Sequence, residues 1–120
     1  MEIFHEFSFE AAHRLPNVPP EHKCARLHGH SFRIEVRVRG PVDAQQGWVM
    51  DFAQIKAAFV GLHDQLDHRY LNEIAGLENP TSENLAVWIW DRLCARLPLS
   101  AIVVRETCTV GCVYRGSSGP

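Results

Sequence analysis

The sharpest chemistry in this chain is offered by His28-Gly29-His30, two histidines separated by one glycine. In an extended strand, residues two apart project to the same side. Both imidazoles can then grip one metal ion, and Gly29 leaves room for backbone or ligand. A third imidazole, His13, ends an earlier alternating segment, on that segment's apolar side. If the two segments pair antiparallel, all three rings meet at one edge of the core. Three neutral imidazoles with an open fourth position suit catalytic zinc, whereas structural zinc fills all four places, typically with thiolates. A single histidine on an apolar face is ordinarily a hydrogen-bonded core residue. The metal reading therefore rests on the pair together with the third ring. His5 and His22 read as surface or pocket residues, and His63 as a solvated helix position.

Further groups stand near these histidines or on the elements that follow. Cys24 lies four positions before His28, in the loop leading into that segment. A thiol beside a cation makes a better base or nucleophile. Asp67-His68 closes a helical segment, and such a pair can orient and polarise a thiol. Each residue alone could simply decorate a helix end, where the dipole favours histidine. Glu106 shares a strand face with Ile102, Val104 and Cys108, the presumed core side. An unpaired buried carboxylate is costly. A guanidine-like ligand edge with two N–H donors would satisfy it, and so would a nearby arginine. Cys108 and Cys112 are spaced C-x3-C, a weak metal signal, and the pair reads rather as reduced thiols packed near a turn.

The elements that must position these groups can be read from periodicity. Over residues 2–13, Ile3, His5, Phe7, Phe9, Ala11 and His13 share one side, with Glu2, Glu6, Ser8, Glu10 and Phe4 on the other. That alternation predicts a strand. Pro16, Pro19 and Pro20 make 16–27 a loop. Residues 28–39 alternate more cleanly, with His28, His30, Phe32, Ile34, Val36 and Val38 on one face, as in a half-buried antiparallel strand. Trp48-Val49-Met50 reads as a short further strand. Asp51 is placed to cap a helix running to about Asp67, with Phe52, Ile55, Phe59, Leu62 and Leu66 as its apolar stripe. Pro80-Thr81-Ser82 opens a second helix, striped by Leu85, Trp88, Ile89 and Leu93 and stopped by Pro98. Its apolar girth is wide enough to pack a second subunit. Residues 101–108 and 112–114 read as strands. The order ββααββ, with strands and helices segregated, predicts an α+β fold with a mostly antiparallel sheet.

Composition bounds the function classes. The 120 residues fit one domain, and 46% hydrophobic with 22% charged is ordinary globular usage. A net charge of -2 gives no global basic field to attract nucleic acid. No secretion-type start and no membrane-length apolar run is present, so the chain reads as soluble and cytosolic. In that compartment the four cysteines need not form disulfides. Residues 1–115 read as one domain, and 116–120 as a flexible tail.

Taken together, six stretches resemble the 6-pyruvoyl-tetrahydropterin synthases and their bacterial relatives. They are F-x-F-E-A-A-H-R-L (7–15), C-A-R-L-H-G-H-S-F (24–32), G-W-V-M-D-F (47–52), L-D-H-R-Y-L-N (66–72), N-P-T-S-E-N-L-A (79–86) and R-E-T (105–107). They cover nearly the whole chain in the family's order. The resemblance implies the tunnelling fold, a four-stranded antiparallel sheet with two helices on one face. It implies homo-oligomers, commonly hexamers, with active sites at subunit interfaces. By the same resemblance His13, His28 and His30 would bind zinc. Cys24 would be the catalytic thiol, assisted by Asp67 and His68. Glu106 would anchor a pterin's guanidine-like edge, with Thr107 adjacent.

The spacing C-x3-H-G-H looks like the 6-carboxytetrahydropterin synthases of the queuosine (7-deazaguanine) pathway. Animal-type 6-pyruvoyl enzymes have a longer gap there, and a folate-pathway branch carries Glu in place of Cys. The implied substrate is 7,8-dihydroneopterin triphosphate, with Lys23, Arg26 and Arg14 available to its phosphates. The nearest rival reading is 6-pyruvoyl-tetrahydropterin synthase itself, which eliminates triphosphate but keeps every side-chain carbon. A rival of another class is a zinc-stabilised pterin-binding module without catalysis.

Overall fold

In a computed structural model, residues 1–116 are described. Apart from Gly116, the tail expected over 116–120 lies outside them.

Two long strands form the backbone of the fold. β1 (Glu2–His13) and β2 (His28–Arg39) pair antiparallel along their whole length, from Glu2 opposite Arg39 to His13 opposite His28. The expected alternation sets this register: Phe9, Ala11, Phe32, Ile34, Val36 and Val38 all turn into the core. β4 (Leu99–Arg105) adds antiparallel to β2, and β5 (Gly111–Tyr114) adds antiparallel to β4.

The sheet has a fifth strand that periodicity did not reveal. β3 (Arg69–Tyr70) pairs parallel with Ala11 and Ala12 of β1, giving the order β3-β1-β2-β4-β5. The four-stranded antiparallel expectation is corrected to a mixed five-stranded sheet, with element order ββαβαββ. Two residues are too few to leave a periodic signal.

α1 (Phe52–Leu66) begins at Asp51, whose side chain accepts from the Ala53 N–H at 2.9 Å. α2 (Ser82–Leu93) is capped by Thr81, whose hydroxyl accepts from the Asn84 N–H at 3.0 Å. Both helices lie on one face of the sheet. Ile55, Phe59, Leu62 and Leu66 of α1, and Leu85, Trp88, Ile89 and Leu93 of α2, join the sheet's apolar side in a single core. No helix among the described residues is long and apolar enough to cross a membrane.

Trp48-Val49-Met50 does not form a strand. Asp43 organises a turn there, accepting from the N–H groups of Gln45 and Gln46. Its own N–H donates to the Trp48 carbonyl. The chain is turned straight toward the Asp51 cap and meets no neighbouring strand.

The other face of the sheet mixes charged residues with the buried Ala101 and Val103 of β4. Glu35, on that face, is 7% exposed. Arg105 and Arg37 both donate to its carboxylate. Burial alone would raise its pKa, but the two guanidiniums outweigh it and hold the carboxyl below the usual range.

Candidate active site

Pairing of β1 with β2 brings the three histidines together as their spacing predicts. His13 stands opposite His28, and His30 is opposite Ala11. The ring centroids of His13 lie 4.6 Å from His28 and 5.1 Å from His30, and His28 and His30 are 4.9 Å apart. One nitrogen from each ring can be chosen so that all lie within 4.8 Å of one another.

Backbone carbonyls orient two of the rings. His13 Nδ1–H donates to the Pro80 carbonyl at 2.8 Å, and His28 Nδ1–H to the Arg26 carbonyl at 2.7 Å. Each bond assigns the tautomer and leaves Nε2 with a free lone pair. His13 is 1% exposed, and its Nε2 has no hydrogen-bond partner. A buried, unpartnered imidazole nitrogen costs free energy unless something coordinates it. Burial also pushes His13 and His30 toward their neutral forms, opposed in part by the Pro80 hydrogen bond at His13 and by Glu106 at both, and reinforced by the neighbouring imidazoles. Neutral imidazole is the form a metal requires. The donor set therefore fits a divalent ion such as zinc. Gly29 lies between the two β2 histidines, and a Cβ there would sit 3.4 Å from the Ala11 carbonyl oxygen, ordinary contact.

Glu106 is found just past the end of β4, in the loop joining it to β5, not within the strand. Its side chain is 25% exposed, so it is not the buried strand carboxylate that alternation suggested. Its Oε2 lies 3.9 Å from His30 Nε2, beside the histidine cluster. The carboxylate opens onto a depression of about 340 Å3 that Leu15, Thr81, Glu83 and Cys112 also line. The loop is closed by the Glu106 N–H donating to Val110 at 3.2 Å. Gly111 makes the hairpin possible, since a Cβ there would collide with the Val104 carbonyl and sit 3.0 Å from the Arg105 Cα. Thr107 is exposed and turns its hydroxyl onto Thr109, accepting from the Thr109 N–H at 3.3 Å.

Asp67 and His68 follow α1 as a hydrogen-bonded pair, with His68 Nδ1 and Asp67 Oδ2 2.9 Å apart. The pair is fastened to β1 at Glu10. The Glu10 N–H donates to Asp67 Oδ1 at 3.0 Å, and the His68 N–H donates to the Glu10 carbonyl at 2.6 Å. The bond from Glu10, then that from His68, holds the Asp67 carboxyl below its usual pKa. His68 has φ of 59°, a left-handed conformation uncommon outside glycine. Its exposed ring borders a cleft of about 520 Å3 shared with His30, Glu10, Ser31 and Tyr70. Ser31 donates to Glu10 Oε1 at 2.6 Å.

Cys24 sits half-buried in a 3-10 turn, Lys23–Ala25. Its carbonyl accepts from the Leu15 N–H at 2.8 Å, and its N–H donates to His22 Nδ1 at 3.0 Å. The turn is thus pinned two residues beyond His13. Among the described residues, no hydrogen bond joins the Cys24 thiol to the Asp67–His68 pair. His63 is less solvated than expected, because its Nε2–H donates to the Ser8 carbonyl at 3.0 Å.

A family model described as 6-pyruvoyl tetrahydropterin synthase matches residues 2–117. The chain belongs to that family. It is 49% identical over 119 residues to a Synechocystis sp. protein named 6-carboxy-5,6,7,8-tetrahydropterin synthase, covering 93% of this chain and 91% of the relative. It is 43% identical over 96 residues to a Pyrococcus furiosus protein named dihydroneopterin monophosphate aldolase, covering 80% and 77%. A solved 6-pyruvoyl tetrahydropterin synthase from Caenorhabditis elegans superposes with a TM-score of 0.89 at 30% identity, over 98% of this chain and 96% of that one. The tunnelling fold and the enzyme class expected from the motifs therefore stand for this member of the pterin synthase family.

Sequence reasoning missed several residues around the site. Glu10 and Ser31 lie on the polar side of their strands and looked like solvated surface. The Pro80 carbonyl and Asn72 act through backbone contacts, which leave no periodic trace.

Proposed function

We propose that this chain is a zinc-dependent 6-carboxy-5,6,7,8-tetrahydropterin synthase acting in queuosine (7-deazaguanine) synthesis. It converts 7,8-dihydroneopterin triphosphate to 6-carboxy-5,6,7,8-tetrahydropterin and releases acetaldehyde and triphosphate. The observation that carries the chemistry is the buried, unpartnered His13 Nε2 facing two further imidazoles, with Glu106 beside them. The product branch is supported by the Synechocystis relative and by the C-x3-H-G-H spacing.

Residues 1–115 form the catalytic domain on this reading. His13, His28 and His30 hold the metal. Zinc bound there supplies Lewis acidity toward the hydroxyls of the substrate side chain. Glu106 accepts two N–H donors from the pterin ring edge, which fixes the ring in the plane of its carboxylate. Cys24 moves protons at the side-chain carbons, and Asp67 holds His68 as the thiol's partner. Lys23, Arg26 and Arg14 face the triphosphate. The working form is a cytoplasmic homohexamer with active sites at subunit interfaces. The open outer edge of β5 supports such assembly.

The deciding experiment is incubation of the zinc-loaded protein with dihydroneopterin triphosphate and identification of the products. Acetaldehyde with a 6-carboxy pterin supports the reading. Triphosphate release with all side-chain carbons retained assigns 6-pyruvoyl-tetrahydropterin synthase instead. Binding without turnover of any pterin leaves the non-catalytic module.

A further inference from the structure

The outer edge of β1 carries the backbone groups that face away from β2. Near the site this edge is closed by one short run of chain, residues 67–72. The Glu10 N–H and carbonyl are met by Asp67 and His68. Ala12 is paired with Tyr70 of β3. Beyond Tyr70 the backbone turns away into a 3-10 turn, Leu71–Glu73, and cannot continue the ladder. The next outward-facing residue, Arg14, would then lack a partner.

The side chain of Asn72 takes over at that point. Its Oδ1 accepts from the Arg14 N–H at 3.0 Å, and its Nδ2–H donates to the Arg14 carbonyl at 2.9 Å. One side-chain amide thus satisfies both backbone groups of a strand residue, as a neighbouring peptide would. The same Nδ2 lies 3.4 Å from the Glu78 carbonyl, two residues before the Pro80 carbonyl that orients His13. His13 lies between Ala12, held by β3, and Arg14, held by Asn72.

We propose that Asn72 is a positioning residue for the metal centre, extending the β1 ladder past the end of β3 and so fixing the backbone that carries His13. The proposal rests on the reading of His13, His28 and His30 as zinc ligands. Asn72 touches neither the metal nor the substrate. It acts by tying two segments together, the strand that carries the His13 ring and the 78–80 segment whose carbonyl aims it. The same run of six residues carries the Asp67–His68 pair, so Asn72 also holds that pair in register with the imidazoles.

The test is zinc affinity, measured by competition with a chelating dye, together with the visible absorption spectrum of the cobalt-loaded protein. Asn72→Ala should bind zinc about 10- to 100-fold more weakly, the range seen when groups that orient metal ligands are removed. Its cobalt bands should shift or broaden. Asn72→Asp keeps the acceptor for Arg14 N–H but loses both donations, and should also bind more weakly than the parent. Val38→Ala, which opens a cavity in the core opposite Ile3, at the other end of the β1–β2 pair from the histidines, lowers stability away from the site and should bind zinc like the parent. Parent-like affinity and spectrum in the Asn72 variants would overturn the proposal. So would an equal loss in Val38→Ala, which would trace the effect to general destabilisation. Should Asn72→Ala not fold, Asn72→Asp decides by the same criteria. A parent chain that binds no zinc overturns the metal reading itself, and the proposal with it.

Discussion

At the scale of single residues, roles separate by what each group can hold. His13 is buried with one nitrogen aimed by Pro80 and the other left free. His13→Ala should lower zinc content to background in metal analysis of the purified protein. Cys24 lies on the neighbouring turn and belongs to no ligand set. Cys24→Ala should abolish turnover and retain zinc. Turnover that survives this change rejects the thiol's role. His68 stores backbone strain at φ 59°, where asparagine or glycine is more comfortable. His68→Gly should therefore cost little stability in a denaturant titration while removing the ring from the cleft and lowering kcat. The three-histidine cluster was legible in the sequence because two of its members share a strand face and the third ends the partner strand. Glu106 was legible only as a residue out of place. Its position past the strand end depends on where the β4–β5 hairpin closes, and alternation does not report that.

At the scale of elements, the strands and helices followed their periodicity, and the departures came from contacts across elements. Glu35 is the clearest case. By alternation it faces solvent, yet two arginines, one from its own strand and one from β4, fold over it. Its depressed pKa in the folded state means that its stabilisation is fully present above the ordinary carboxylate range. That contribution is lost as pH falls through the folded value. Glu35→Gln should flatten the acid side of the stability–pH profile in urea unfolding, relative to the parent. β3 shows the opposite lesson. Two residues carry no pattern, but the strand fixes the end of β1 beside His13. The failed strand at 48–50 had suitable residue types and no partner, and a strand is defined by its partner.

At the scale of the whole molecule, the apolar core is assembled without the three imidazoles, which predicts a fold that outlasts the metal. Its core runs between the sheet and both helices and includes Phe9, Phe32, Phe59 and Leu85. Chelation of zinc should lower the melting temperature and leave a cooperative transition with native far-UV circular dichroism. Collapse on chelation would favour the zinc-stabilised module over the enzyme. The groups proposed to hold ring and metal are mounted on different elements, Glu106 on the β4–β5 hairpin and the imidazoles on β1 and β2. The tight approach of Gly111 to Val104 and Arg105 then has a separable effect. A methyl group there pries the hairpin apart and moves the carboxylate while the imidazoles keep their places. Gly111→Ala should raise KM and leave zinc stoichiometry at the parental value. With Glu106 holding the ring as proposed, drift in the hairpin retunes which heterocycle is gripped, generation by generation, without disturbing the histidine cluster.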